Sequence, residues 1–432
     1  MKVLFILLYI IIAIQTQIHL CFGNVTATQM LILPLMIQET GSESWPRELN
    51  NLSFNHNVTL TVSLSVGTPQ QNVTMVLDTG SELSWLQCNT TTGMARPMFD
   101  PTLSSTYTPV NCSSPTCTTQ TRDFPIPTSC DSNKHCHAML SYADATSSEG
   151  NLASDTFNIG ASGMPGTIFG CMDSGSSSNS GEDNKTTGLM GMNRGPLSFV
   201  SQMNFSKFSY CIPGSDHLGV LVFSDGNSTW LKSLNYTPLI QISTPLPYFD
   251  RSAYTVQLLG FKVSEKMLPL PESILEPDHT GAGQTMIDSG TQFTFLVGPA
   301  YTALKNEFLN QTNGTLQVLN DPDYAFQGAM DLCYLLPLNQ TNLPVLPSIS
   351  IMLDGAEMNI SGDKLLYTVP GEVRDNSWVA CLTFGNSDLL GIEAYIIGHH
   401  HQQNLWIEFD LENSRVGIAP VQCDIASQKI GS

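Results

Sequence analysis

Two stretches of the chain repeat one another: MVLDTGSELSWL at residues 75–86 and TMIDSGTQFTFL at residues 285–296. Each sets an aspartate, Asp78 or Asp288, before a hydroxylated residue and a glycine. One carboxylate can take a proton from water while a second carboxyl gives one to a carbonyl oxygen, and a peptide bond is then cut without a covalent intermediate. Two such groups a few ångströms apart cannot both ionise cheaply, so the pair shares one proton and holds acid and base together. That chemistry needs two copies of one carboxylate, and the chain carries two copies of one loop.

The neighbours fit the same purpose. Thr79 and Gly80, like Ser289 and Gly290, predict a tight turn whose backbone N–H groups hold the carboxylates coplanar, with glycine permitting close approach. Ser81 and Thr291, three residues past each aspartate, can hydrogen-bond the outer carboxylate oxygens. Val76, Leu77, Leu83 and Trp85 frame the first loop, as Met286, Ile287, Phe293 and Phe295 frame the second, so each is expected between buried strands. A third triplet begins at Asp173 but is followed by SSSNSGEDN, without an apolar frame, and reads as an exposed loop. One such triplet alone is an ordinary turn.

The elements that would position these loops are mostly strands. From Val58, apolar residues alternate through VTLTVSLSVGTPQQNVTMVLDTG, with Gly-Thr-Pro as the turn of a β-hairpin. Short strands with Gly, Asn, Ser and Pro turns recur to the end. Helical patches are few: GPLSFVSQM after Arg194, GPAYTALKNEFLNQ from Gly298 and GDKLLY from Gly362. An internal repeat divides the chain: Gly191 of GLMG follows Asp78 by 113 residues, and Gly398 of YIIG follows Asp288 by 110. The Pro-rich stretch 237–256 marks the crossover, giving an N-terminal lobe of 58–240, a C-terminal lobe of 241–424 and a tail of 425–432.

Composition bounds the setting. With 17 basic against 37 acidic residues and a formal charge of −20, the chain is a poor match for nucleic acid. Residues 1–23 read as a secretory signal peptide, 24–57 as a prosegment, and no later apolar run is long enough for a membrane span. Between Asn24 and Asp78 the only Lys or Arg is Arg47. Once Cys21 leaves with the signal, ten cysteines remain, an even number that favours five disulfides in an oxidising compartment. Local spacing pairs Cys112 with Cys117 and Cys130 with Cys136. His135 and His137 flank Cys136 without completing a zinc set, and His399–His401 read as an exposed polar turn; neither is expected to hold metal. Asn-x-Ser/Thr sequons, among them Asn72, Asn204, Asn235, Asn313 and Asn359, fit a glycoprotein.

At the paired loops the chain resembles the pepsin-type aspartic proteases, from about Val58 to Cys423. GLMGMNRGPLSFVSQ, FSYCIP at 208–213 and YIIGHHHQQNLWIEFDLENSRVGIAP are similar to the atypical, nepenthesin-like plant branch. The resemblance implies an all-β, bilobal fold with pseudo-twofold related β-barrel lobes, the hydrophobic-hydrophobic-Gly elements closing each lobe beneath its aspartate. It implies catalysis by Asp78 and Asp288 and a flap whose tyrosine, Tyr142 in LSYADATSSEG, can hydrogen-bond toward Trp85. It further implies polypeptide substrates, no cofactor, an acidic optimum, a monomer free of membrane and nucleic acid, and a role in restraining cell death in developing tissue. Residence would be in the secretory pathway, ending outside the cell or in the endoplasmic reticulum. Three departures stand out: Ala143 follows the flap tyrosine where glycine is usual, Glu82 adds a carboxylate beside the first loop, and the saposin-like insert of typical plant members is missing. The rival reading is a secreted inhibitor or receptor on the same scaffold. Relatives of that kind have a degraded second loop, whereas both loops are intact here.

Overall fold

Runs of β-branched and large apolar residues bounded by glycine, proline and asparagine turns dictate short strands, and the computed structural model is built from them. It describes residues 30–39, 58–88, 98–143, 146–176, 185–214, 218–226, 231, 234–338 and 344–430. The expected signal peptide lies outside the described residues, as does the 24–57 segment apart from residues 30–39.

One long sheet runs through both halves. From the C-terminal side, strands Asn235–Pro238, Arg415–Pro420 and Leu405–Asp410 lead into Lys207–Cys211 and Gly219–Ser224. The sheet continues through Met30–Glu39 into Val58–Val66 and Gln71–Asp78 of the N-terminal half. Met30–Glu39 is paired on both sides, with Leu35 opposite Gly219 on one and Val62 on the other. Its Leu31, Leu33 and Leu35 are buried in the principal core. Residues assigned to a prosegment from sequence thus form a central strand. The C-terminal half adds three four-stranded sheets.

Both halves share a local plan. Gly188–Gly191 lies parallel to Met75–Asp78, with Gly191 opposite Asp78. Ala394–Ile397 lies parallel to Gln284–Ile287, one residue short of Gly398 and Asp288. The two downstream glycines therefore stand at their aspartates in matching register. Each packs where a side chain cannot fit: a Cβ on Gly191 would lie 2.6 Å from the carbonyl carbon of Glu82, and one on Gly398 would lie 2.5 Å from that of Phe293.

Of the expected helical patches, the first yields Phe199–Met203 and the second Gly298–Thr312, while the third is a single 3₁₀ turn at Gly362–Lys364. A C-terminal helix, Cys423–Ile430, takes in most of the segment read as a tail. Cys423 bonds Cys211 and ties this helix to the central sheet. All ten cysteines are in disulfides, but the two local pairings are corrected to Cys112–Cys130 and Cys117–Cys136. The helical turn Thr116–Gln120 buries Cys117, which meets the buried Cys136, leaving the more exposed Cys112 and Cys130 to each other. The loop between Cys130 and Cys136 is closed instead by the Asp131 carboxylate, which accepts from the N–H groups of Asn133 at 2.8 Å and His135 at 2.7 Å.

Candidate active site

Asp78 ends the strand Gln71–Asp78, and Asp288 follows the strand Gln284–Ile287. The buried flanking residues Leu77, Leu83, Ile287, Phe293 and Phe295 anchor each loop in the core of its own lobe. Gly80 N–H donates to Asp78 Oδ1 at 2.8 Å and Gly290 N–H to Asp288 Oδ1 at 2.8 Å. The Ser81 hydroxyl donates to Asp78 Oδ2, and the Thr291 hydroxyl to Asp288 Oδ2 at 2.6 Å. Both carboxylates thus have one backbone and one hydroxyl donor from their own loop.

The loops are also laced to each other. Thr79 N–H donates to Ser289 Oγ at 3.0 Å, and Ser289 N–H donates to Thr79 Oγ1 at 2.9 Å. The same hydroxyls donate across the interface, Thr79 to the Ile287 carbonyl at 3.2 Å and Ser289 to the Leu77 carbonyl at 2.9 Å. All four bonds obey a twofold relation and bring the two carboxylates together. Each glycine faces the opposite carboxyl: a Cβ at Gly290 would be 2.6 Å from Asp78 Cγ, and one at Gly80 would be 3.1 Å from Asp288 Cγ.

Burial holds the Asp78 carboxyl well above the usual carboxylate range, and the charge of Asp288 pushes it further; the bonds from Ser81 and Gly80 only partly oppose this. The coupled pair therefore shares one proton. Burial likewise pushes Glu82 up to about 7, ahead of the charges of Asp250 and Asp123 and against the Leu197 N–H that it accepts at 2.9 Å.

The dyad lies on the floor of a cleft of about 1030 Å³ between the lobes. Strands Cys136–Ser141 and Ser147–Ile159 form a hairpin over it, and Trp85 Nε1 donates to the Tyr142 hydroxyl at 2.7 Å. Asp123 and Arg251, 2.8 Å apart, bridge the lobes at the rim. Asp173 also lines the cleft, but it is exposed and lies on the strand Ser162–Ser176 rather than in the loop read from sequence.

The histidine triplet is a 3₁₀ turn as expected, yet His399 and His401 are buried, which corrects the exposed reading. His401 bonds the hydroxyls of Thr294 at 2.7 Å and Thr383 at 2.8 Å and stacks on Phe384 with ring centres 4.4 Å apart. Among the described residues, no group of three or more His, Cys, Asp or Glu is placed to hold a metal ion. Sequence reasoning missed Tyr210 and Gln402, which lie beneath the dyad; Gln402 follows Gly398 by four residues, but the matching position after Gly191 is Gly195, so the repeat gives no signal.

Two β lobes meeting at paired Asp-Thr/Ser-Gly loops, under a hairpin, define an aspartic protease architecture. Family models described as xylanase inhibitor N-terminal and C-terminal match residues 60–225 and 253–420. Aspartic proteinase PCS1 of Arabidopsis thaliana is 62% identical over 408 residues, covering 93% of this chain and 89% of that protein. Aspartic proteinase nepenthesin-1 of Nepenthes gracilis is 33% identical over 369 residues, covering 84% of this chain and 77% of the relative. Among solved structures, edgp superposes with a TM-score of 0.67 at 20% identity, covering 94% of this chain and 98% of edgp. Basic 7S globulin from soybean does so with 0.64 at 20% identity, covering 91% and 97%; at that identity these two speak for the fold alone. The chain belongs to the plant aspartic protease family, with nepenthesin-like relatives.

Proposed function

We propose that Asp78 and Asp288 make this chain an endopeptidase that hydrolyses extended polypeptides in acid. The reading rests on two carboxyls placed face to face by symmetric bonds, one of them held protonated. A water between them loses a proton to Asp288 as its oxygen attacks the peptide carbon, while Asp78 donates its proton to the carbonyl oxygen. The tetrahedral diol collapses as a proton passes to the nitrogen, the C–N bond breaks, and the shared proton is restored. The Tyr142 hairpin closes over the substrate backbone, and apolar cleft walls at Phe124, Ile126 and Phe249 favour bulky apolar side chains beside the cut bond.

We further read the enzyme as a monomer of the secretory pathway, outside the cell or in the endoplasmic reticulum, apart from nucleic acid and membrane. Five disulfides support the oxidising compartment. The reading extends to the cell-survival role in developing tissue that the sequence resemblance implies. A second reading, a cleft that binds a protein without cutting it, draws on the inhibitor family models; the intact second loop stands against it. The test is cleavage of internally quenched peptides from pH 2 to 7. Asp78→Asn and Asp288→Asn should each lower kcat on the order of 10³-fold or more, with Asp173→Asn close to the parent. Tight peptide binding by folded parent without any cleavage would transfer the conclusion to the second reading.

A further inference from the structure

Beneath the dyad the two lobes stop matching. On the C-terminal side Gln402, fully buried, donates from Nε2 to the Asp288 carbonyl at 3.1 Å and to the Ile397 carbonyl at 2.7 Å. Its Oε1 accepts from the hydroxyl of Tyr210, also fully buried. Tyr210 lies on the strand Lys207–Cys211, between Gly219–Ser224 and Leu405–Asp410 in the sheet that joins the lobes. On the N-terminal side the corresponding position is Gly195, which carries no side chain, and the Asp78 carbonyl accepts from the Met192 N–H at 2.9 Å instead.

These contacts form one line from the Tyr210 hydroxyl through the Gln402 amide to the main chain of Asp288. We propose that Tyr210 and Gln402 are positioning residues for the hydrolysis, setting the height and tilt of Asp288 against Asp78. Neither touches the cleft, so neither contacts substrate. A tyrosine and an amide, both without net charge, fix the base without altering the proton count of the pair. The Tyr210 hydroxyl donates to Gln402, and the Gln402 amide donates to the Asp288 and Ile397 carbonyls, so the line bears on one aspartate. Twofold bonds between Thr79 and Ser289 keep the loops together, and the Tyr210–Gln402 line fixes where the Asp288 main chain sits relative to them.

This inference rests on the proposed protease activity, and the experiment separates the two. The parent, Asp78→Asn, Tyr210→Phe, Gln402→Met and Gln402→Glu are assayed on one internally quenched peptide with bulky apolar residues at the scissile bond, across pH 2–7, after thermal melts. No cleavage by the parent overturns the functional reading itself. With an active parent, Tyr210→Phe and Gln402→Met should lower kcat on the order of 10- to 100-fold with KM within about 2-fold, the loss that a misplacement near 1 Å brings. The double variant Tyr210→Phe/Gln402→Met should be no worse than Gln402→Met alone. Gln402→Glu discriminates best: a protonated carboxyl can donate to the Asp288 carbonyl and accept from Tyr210, giving up only the amide's second donor bond to Ile397, and an ionised one cannot donate. Its kcat should come within about 3-fold of the parent at the acid end and fall away with an added ionisation as pH rises. Unchanged kcat and pH profile in folded Tyr210→Phe, or a rise in KM alone, would overturn the proposal. Tyr210→Phe removes a single oxygen and keeps the core volume, so the question stays open to measurement if Gln402→Met fails to fold.

Discussion

The mutual approach of the loops makes an unequal prediction for two residues that look equivalent in sequence. Neither Gly80 nor Gly290 has a positive φ, so alanine meets no backbone penalty at either position. The cost comes from the opposite carboxyl. A methyl at position 290 would lie 2.6 Å from Asp78 Cγ and one at position 80 would lie 3.1 Å from Asp288 Cγ. Carbon atoms settle at about 3.5–4.0 Å, so the shortfall is about 1 Å for Gly290→Ala and about 0.5 Å for Gly80→Ala. Asp78 cannot swing aside cheaply, because Gly80 N–H and the Ser81 hydroxyl hold its two oxygens. The strain therefore opens the dyad, and a displacement near 1 Å is worth on the order of 10²-fold in rate, or about 2.7 kcal/mol of barrier. Gly290→Ala should lose that much in kcat and Gly80→Ala no more than about 10-fold. The assay is single-substrate kinetics on a quenched peptide, with melts and near-UV circular dichroism to show that both variants are folded. Equal losses, or a Gly290→Ala enzyme within about 3-fold of the parent, would refute the reasoning that the loop glycines exist to admit the partner carboxyl.

Three further outcomes are expected. Leu33→Ala in the central strand should cost about 2–5 kcal/mol of unfolding free energy, and a chain begun at residue 40 should fail to give a cooperative melt, since Met30–Glu39 is paired on both edges and buried; a normal melt for the shortened chain would show the strand to be dispensable. His400 is pushed down to about 4 by burial, and His401 is lowered well below its ordinary value, again chiefly by burial. The unfolded chain takes up protons at both from about pH 6.5 downward while the fold refuses them, so stability rises with pH in that window and is lost as pH falls toward 4. His400→Gln should flatten urea midpoints against pH between 6.5 and 4, where His400 contributes up to about 3 kcal/mol; an unchanged slope would place its titration elsewhere. Tyr142→Phe removes the oxygen that accepts from Trp85 Nε1 and should lower kcat/KM on the order of 10-fold, about the worth of one hydrogen bond; an unaltered value would leave the hairpin bond without a part in binding.

What could be read in the sequence was whatever the repeat wrote twice. Asp78 and Asp288, their hydroxyl and glycine neighbours, and the downstream Gly191 and Gly398 were legible because each copy vouches for the other. Contacts that one copy makes alone were not. Three consecutive histidines look polar, and only the fold brings Thr294 and Phe384 to His401. The pairing of Cys112 and Cys117 looked short and local, whereas a helical turn and the Asp131 carboxylate satisfy the local geometry and free the sulfurs for more distant partners. Tyr210 and Gln402 are 192 residues apart, and nothing in either neighbourhood points to the other.

The unshared contacts matter because a fully symmetric pair has no preference for which carboxyl keeps the proton. The loop bonds are symmetric, so they cannot decide it. The surroundings differ at Glu82 and at Gln402. Four residues past Asp78 stands Glu82, filling the space that Gly195 leaves, in a setting buried enough to raise a carboxyl's proton affinity. At Asp288 the main-chain carbonyl accepts from the Gln402 amide, whose oxygen in turn accepts from the Tyr210 hydroxyl. Each aspartate thus has a neighbour that the other lacks. One loop, copied, supplies both carboxyls; whatever tells acid from base must lie in residues that were not copied.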